Sequence, residues 1–197
     1  QTPKVPNLLG KRVVVLDGED DFVNMLGHVF AVMGMTTEVI RHDAWTAESL
    51  DGHDLVVIGP GPGDPRDDAD PKIKVLRAAT QRLLDRGQPF LAICLGHQTL
   101  SHLIGLDLVF KDIVFQGTQS ALPILGRTET VGFYNTFVAR VPESGLPAGV
   151  SVETDPATGD IHLVAGPAFR GIQFHAESIL TQHGYSLLRE LTESLLS

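Results

Sequence analysis

Residues 90–98 read Phe90-Leu91-Ala92-Ile93-Cys94-Leu95-Gly96-His97-Gln98. A short apolar run stops at Gly-His-Gln, and a helical pattern then runs from Gln98 to Ile104, ended by Gly105. The order is strand, sharp turn, helix. A residue on such a turn stands at the carboxyl end of a sheet and points away from the core, and the first N–H groups of the following helix converge on the same point. Cys94 occupies that position and is the only cysteine in the chain. Two readings compete. Free cysteine is among the residue types most often buried, so a structural thiol is the plain alternative. Gly96 favours a nucleophile, because a glycine two residues on permits the tight backbone that such an elbow needs.

Working outward, Arg12 to Leu16 is a continuous β-branched run, the pattern of a strand buried on both faces. Asp17-Gly18-Glu19-Asp20-Asp21 reads as a turn whose acids suit a helix start. Phe22, Leu26, Val29, Phe30 and Met33 recur at helical spacing up to Gly34. Thr36 to Ile40 and Leu55 to Ile58 read as the next strands. A helix is predicted from Pro71, with Gly87 after its end. Strands alternating with helices imply βαβ units and a parallel sheet. From Leu106 the rhythm changes. Leu108 to Gln116, Ala121 to Leu125, Thr130 to Val138, Ser151 to Thr154 and Ile161 to Ala165 read as shorter strands without long helices between them, and are expected as antiparallel additions at one side of the sheet. Phe169 to Phe174 reads as a strand running into His175, and Leu187, Leu188, Leu191 and Leu195 give the last helix a core-facing stripe. The predicted fold class is α/β: an open, mostly parallel, flavodoxin-like sheet with helices on both faces and added antiparallel strands. Ligands in such sheets sit beyond the carboxyl ends of the strands.

The chain has 197 residues, 43% hydrophobic and 20% charged, which suits one soluble domain with a single core. A net charge of -9 argues against nucleic acid as a partner, since phosphate binding needs a basic footprint. No apolar run approaches the roughly 18 residues of a membrane span. A lone cysteine excludes an internal disulfide and fits a reducing compartment, so a cytoplasmic location is expected. Residues 1–10 (QTPKVPNLLG) read as a linker or N-terminal extension, and 11–197 as the folded domain.

Amide hydrolysis by a thiol needs a nucleophile, a base that becomes the acid, a group that orients the base, and donors for the oxyanion. Cys94 can supply the first. His175 and Glu177, two apart in an extended segment, leave the same face and could serve as base and orienter; solvated surface residues are the plain alternative. Gly59-Pro60-Gly61-Pro62-Gly63 follows a strand. It is either a surface turn or a loop in which Gly61 directs its N–H at a substrate carbonyl and pairs with the N–H of Leu95. It is not a phosphate loop, because Gly-Lys-Ser/Thr is missing and no helix starts directly after it. His97 competes as base, but at its spacing from Cys94 it should project away from the thiol. The remaining histidines form no metal-ligand spacing, and no metal is expected.

Three stretches together resemble the class I (triad) glutamine amidotransferases: Cys94-Leu95-Gly96-His97-Gln98, Gly59-Pro60-Gly61-Pro62-Gly63-Asp64-Pro65, and Phe174-His175-Ala176-Glu177-Ser178-Ile179-Leu180. The resemblance implies a Cys94, His175, Glu177 triad, an oxyanion hole of the Gly61 and Leu95 N–H groups, and glutamine held by Gly61, Pro62, Gly63, Gln98, Thr136 and Phe137. Ala176 stands where the family usually has proline, which removes a fixed φ angle. The Ser178-Ile179-Leu180 continuation, and Leu16-Asp17 with Asp20 and Phe22, are similar to members serving chorismate-using aminating synthases. The resemblance thus implies glutamine as substrate and a chorismate-using synthase, on the same or another polypeptide, as recipient of the ammonia. It implies no cofactor in this chain, with Mg2+ in the synthase. Val114 to Gln119 and Val131 to Phe137 look like phenazine-type sequences, whose synthase forms 2-amino-2-deoxyisochorismate, more than tryptophan-pathway anthranilate synthase subunits. The rival classes are a stand-alone cysteine hydrolase of γ-glutamyl compounds and a non-catalytic regulatory domain.

Overall fold

The computed structural model describes residues 6–174 and 182–197, with the backbone alone at 6 and 182 and over 112–120 and 132–135. In chain order the elements are β1 (Arg12–Asp17), α1 (Phe22–Met33), β2 (Thr36–Arg41), β3 (Leu55–Ile58), α2 (Pro71–Arg86), β4 (Phe90–Ile93), α3 (Leu95–Leu103), β5 (Asp107–Ile124), β6 (Arg127–Arg140), β7 (Ser151–Thr154), β8 (Ile161–Ala165), β9 (Phe169–Ile172) and α4 (Gln182–Leu196). Among the described residues the strands form one sheet in the order β2-β1-β3-β4-β9-β8-β6-β5, with β7 beside β8. β2, β1, β3, β4 and β9 are mutually parallel. The β5–β6 hairpin, β7 and β8 join by antiparallel pairing on one side, as the change of rhythm after Leu106 predicts.

The apolar runs are two-faced in the way a buried parallel strand requires. Val13, Val15, Leu55, Val57, Leu91 and Ile93 pack with Phe22, Leu26 and Phe30 of α1 and the Leu187, Leu188, Leu191, Leu195 stripe of α4. Val14, Leu16, Val56, Ile58, Phe90 and Ala92 pack on the other face with Ile73, Leu76 and Leu83 of α2 and Leu95 and Leu100 of α3. The caps follow sequence chemistry. Asp70 accepts the Lys72 N–H at 2.9 Å before Pro71 opens α2, and Gly34 and Gly87 close α1 and α2 in the left-handed conformation.

Three boundaries differ from the sequence reading. α3 begins at Leu95, directly after Cys94, rather than at Gln98. Leu108–Gln116 and Ala121–Leu125 are one strand, β5, whose register shifts between Phe110 and Phe115 and between Gln116 and Thr118 absorb the interruption at Gly117. Its hairpin turns at Leu125 (φ 52) and Gly126 (φ 80), the paired positive φ that suits a two-residue turn. Of the expected N-terminal extension, residues 1–5 lie outside the described residues. Pro6–Leu8 form a 3-10 turn, and Leu8 is wholly buried in the same cluster as α1 and α4. Among the described residues no helix is long and apolar enough to cross a membrane.

Gly96 has a reason other than the conformational one. The positive φ falls on Cys94, whereas a Cβ on Gly96 would lie 2.3 Å from the Ile58 carbonyl oxygen. β3 is a central strand and cannot yield. Gly96→Ala should therefore cost about 1–3 kcal/mol or more through overpacking, read as a lower urea midpoint at unchanged slope.

Candidate active site

Cys94 ends β4 and is the N-cap residue of α3, with φ 52 and ψ -106. A non-glycine residue so placed stores about 1–3 kcal/mol and persists only where its surroundings over-determine it. Here they do. The Cys94 N–H donates to the Ile172 carbonyl on β9 at 2.9 Å, and Gln98 N–H donates to the Cys94 carbonyl at 3.0 Å. Intrahelical bonding starts with that second contact, so the N–H groups of Leu95, Gly96 and His97 have no intrahelical acceptor. The elbow leaves the thiol half-buried, while Leu95 to Ser101 are buried. Cys94 Sγ faces the carbonyls of Phe174 at 3.4 Å and Gln173 at 3.6 Å, just past the end of β9. Burial pushes the thiol up to about 12, with the Asp20 carboxylate adding to the shift. A thiol so placed needs a base before it can act as a nucleophile.

The Gly59–Gly63 loop is wedged against the turn after β1. Gly59 N–H donates to the Leu16 carbonyl at 2.9 Å. A Cβ on Gly59 would stand 2.5 Å from the Leu16 oxygen, and one on Gly61 would stand 1.8 Å from the Gly18 oxygen. In return, a Cβ on Gly18 would meet the Pro60 oxygen at 2.7 Å. Gly61 is glycine because backbone meets backbone there; the unusual φ, 141, belongs to Gly63. Pro62 and Gly63 are exposed, so the crest of the loop faces solvent while Gly61 is locked beneath it. Chain connections diverge at this point, β1 having β2 on one side and β3 on the other, which makes it a switch-point crevice of the kind in which ligands bind.

Gln98 is buried one turn after Cys94. Its amide nitrogen donates to the Phe137 carbonyl at 2.9 Å and to Gln173 Oε1 at 3.0 Å, so both its N–H donors are engaged by protein. Thr136 is half-buried beside the buried Phe137 on β6. Two contributors carry no assignment in the sequence reading. Gln173, just past the end of β9, ties α3 to the thiol-facing segment, and its only signal is its place before Phe174-His175. Arg66 lays its guanidinium 4.6 Å from the Phe137 ring centroid while paired with Asp64 at 3.2 Å, joining the Gly59–Gly63 side to β6. A cation over an aromatic face is not legible in a linear pattern.

His97 is buried, with neither ring nitrogen hydrogen-bonded among the described residues. Its Nδ1 lies 2.8 Å from where a Gly171 Cβ would stand. Burial, with His162 nearby, pushes it down to about 3, so it is a neutral core residue. No group of three or more metal-ligating side chains occurs among the described residues. His175 and Glu177 lie outside the described residues. The chain reaches His175 from Phe174, whose carbonyl is the one 3.4 Å from Sγ.

Residues 14–194 match the family model for glutamine amidotransferase class-I. A relative named anthranilate synthase, phenazine specific, from Pseudomonas fluorescens is 42% identical over 192 residues, covering 95% of this chain; the chain spans 30% of that relative's length. Anthranilate synthase component 2, pyocyanine specific, from Pseudomonas aeruginosa is 36% identical over 188 residues, covering 90% of each chain. The fold is shared with a solved glutamine amidotransferase from Thermotoga maritima, with a TM-score of 0.72 at 16% identity over 94% of this chain and 96% of that one.

The shifted thiol has a measurable consequence. An ordinary thiol, of pKa about 8.5, is largely ionised by pH 9.5. Alkylation of Cys94 by iodoacetamide should be slow at pH 7 and still rising above pH 9.5. Rates that level off near pH 8 would show a thiolate already populated in the resting chain.

Proposed function

The chain belongs to the class-I glutamine amidotransferases, and on that premise we propose that it hydrolyses glutamine through Cys94, His175 and Glu177 and passes the ammonia to a chorismate-using aminating synthase of the phenazine type. The observation that carries the first part is the backbone of Cys94, a strained strand-to-helix turn whose only plain use is to aim a side chain out of the sheet.

The reaction then runs as follows. His175 removes the thiol proton as Sγ attacks the side-chain carboxamide of glutamine, with Glu177 orienting the imidazole. The negative charge moves to the carbonyl oxygen, where the N–H groups of Leu95 and Gly61 receive it. Collapse breaks the C–N bond, the nitrogen takes the proton from His175, and ammonia leaves. Water, deprotonated by His175, attacks the thioester, releasing glutamate and restoring the thiol. Gln98, Thr136, Phe137, Pro62 and Gly63 line the side that takes the amino-acid end of glutamine. Gln98 acts there chiefly by fixing the Phe137 carbonyl, since its own donors are spent.

Support for the synthase partner is associational. It rests on the 42% identity to the phenazine-specific relative, in which the matched region is 30% of the length, so that the remainder can hold a synthase on the same polypeptide. Mg2+ would belong to that synthase. With chorismate, magnesium and glutamine, the complex should yield a product that retains the enolpyruvyl group, identified by mass and by NMR of the ring positions. Anthranilate with released pyruvate would move the assignment to the tryptophan-pathway type. Glutaminase activity indifferent to added synthase would point to a stand-alone hydrolase.

Cys94→Ala should abolish glutamine-dependent amination and leave amination from free ammonia intact. Loss of both in a folded complex would place Cys94 outside a dedicated glutaminase step. His175→Ala should be nearly as damaging, with Glu177→Gln milder, and combinations no worse than the worst single change, because the residues act as a unit. Gly61→Val should lower kcat by about 10²–10³, the usual cost of one oxyanion donor, since the added side chain must displace the loop from Gly18. A change confined to KM would place Gly61 in substrate binding instead.

A further inference from the structure

The turn after β1 contains one more residue in a strained conformation. Glu19 has φ 73, and its N–H and that of Asp20 both donate to Asp17 Oδ1, at 2.8 and 3.1 Å. Its carboxylate joins segments far apart in sequence. Oε1 lies 2.6 Å from Nε2 of His42, in the 3-10 turn after β2, and Oε2 lies 3.7 Å from Nζ of Lys72, in the first turn of α2. The two partners are nearly enclosed, with side chains 12% and 8% exposed. The Lys72 stem passes 3.7 Å from where a Gly63 Cβ would stand, so the lysine that holds Glu19 also lies under the Gly59–Gly63 loop. The backbone beside Glu19 is the surface on which Gly61 rests, through Gly18 and Pro60.

We propose that Glu19 is the positioning residue of the oxyanion donor: its carboxylate, clamped between His42 and Lys72, holds the turn of residues 17–21 against Pro60 and Gly61 and so fixes the direction of the Gly61 N–H. This rests on the reading of Gly61 as an oxyanion donor. An exposed ion pair contributes little by itself. This one differs because the lysine is enclosed, and an enclosed ammonium deprived of its acid must move or take on water. It can move only with the loop above it. His42 bonding holds the Glu19 carboxyl below the usual carboxylate range, with Lys72 next in importance, so Glu19 is a carboxylate at neutral pH.

The test compares Glu19→Ala, Glu19→Gln, Lys72→Met and the Glu19→Gln/Lys72→Met double variant in the complex with the synthase. The readouts are steady-state glutamine hydrolysis, ammonia-dependent amination, iodoacetamide alkylation of Cys94 and thermal unfolding. Glu19→Ala should lower kcat for glutamine about tenfold, a fraction of the loss of a whole oxyanion donor, with KM within about twofold. Glu19→Gln, which can still accept from His42, should lose less. The double variant carries no unpaired charge and should unfold at the wild-type temperature while keeping a reduced kcat. Ammonia-dependent amination uses no oxyanion hole and should be unchanged in all four, whereas alkylation reports any movement of Asp20, in the same turn, relative to Cys94. An unchanged kcat, a KM effect alone, or a kcat loss matched by equal losses in ammonia-dependent amination and thermal stability would each overturn the proposal. A wild-type complex unable to hydrolyse glutamine would instead overturn the glutaminase reading, and this proposal with it.

Discussion

The architecture depends on holding Cys94 in a conformation its own backbone disfavours. The cost, about 1–3 kcal/mol, is a sizeable share of the net stability of a domain this size, and it is met by three restraints from three directions. β9 accepts the Cys94 N–H, α3 returns a bond to its carbonyl, and Gly96 seats against the Ile58 carbonyl of β3. The first and the third exist only because β3, β4 and β9 are adjacent and parallel with ends in register. The sheet order and the glycine therefore serve one purpose, which is to hold Cys94 in that turn at the carboxyl end of the sheet.

Electrostatics at this end of the sheet work against ionisation of Cys94. The N-terminus of α3 presents N–H groups without intrahelical acceptors and a partial positive charge, which ordinarily lowers a thiol pKa. Burial and the Asp20 carboxylate act the other way and win, leaving the thiol up at about 12. The acids of residues 17–21 have divided roles. Asp17 and Asp20 accept backbone N–H groups within the turn, Glu19 reaches outward to Lys72 and His42, and Asp20 lies near enough to Cys94 to oppose its ionisation.

Much of this was legible in the sequence, and the reasons are specific. Uninterrupted runs such as Arg12 to Leu16 could only be strands buried on both faces, and the core alternates along them as expected. Cys94 was legible because strand, turn and helix follow within nine residues. Boundaries were less legible where tertiary contact overrides local preference. Gly96 weakens any helical reading of Leu95 to His97, yet the helix starts there because Gly96 fits under Ile58. Gly117 breaks the pattern of β5, yet pairing with β6 carries the strand through it. The Glu19 clamp and the Arg66 contact with Phe137 join residues 53 and 71 positions apart, and no periodicity reports such pairs.

Gln98 unites the two halves of the sheet. The parallel half supplies the elbow, and the antiparallel half supplies Thr136 and Phe137. A buried amide can satisfy its donors in only a few arrangements, and here one donor reaches the Phe137 carbonyl on β6 and the other the Gln173 side chain beyond β9. Either bond alone would leave a buried N–H unpaired at a cost of about 1–3 kcal/mol. The two therefore act as one constraint: α3 cannot shift relative to β6 without also disturbing the segment whose carbonyls face the thiol. Gln98 begins the helix's own bonding through its N–H to the Cys94 carbonyl, so the residue that closes the elbow is also the one that sets its distance from β6.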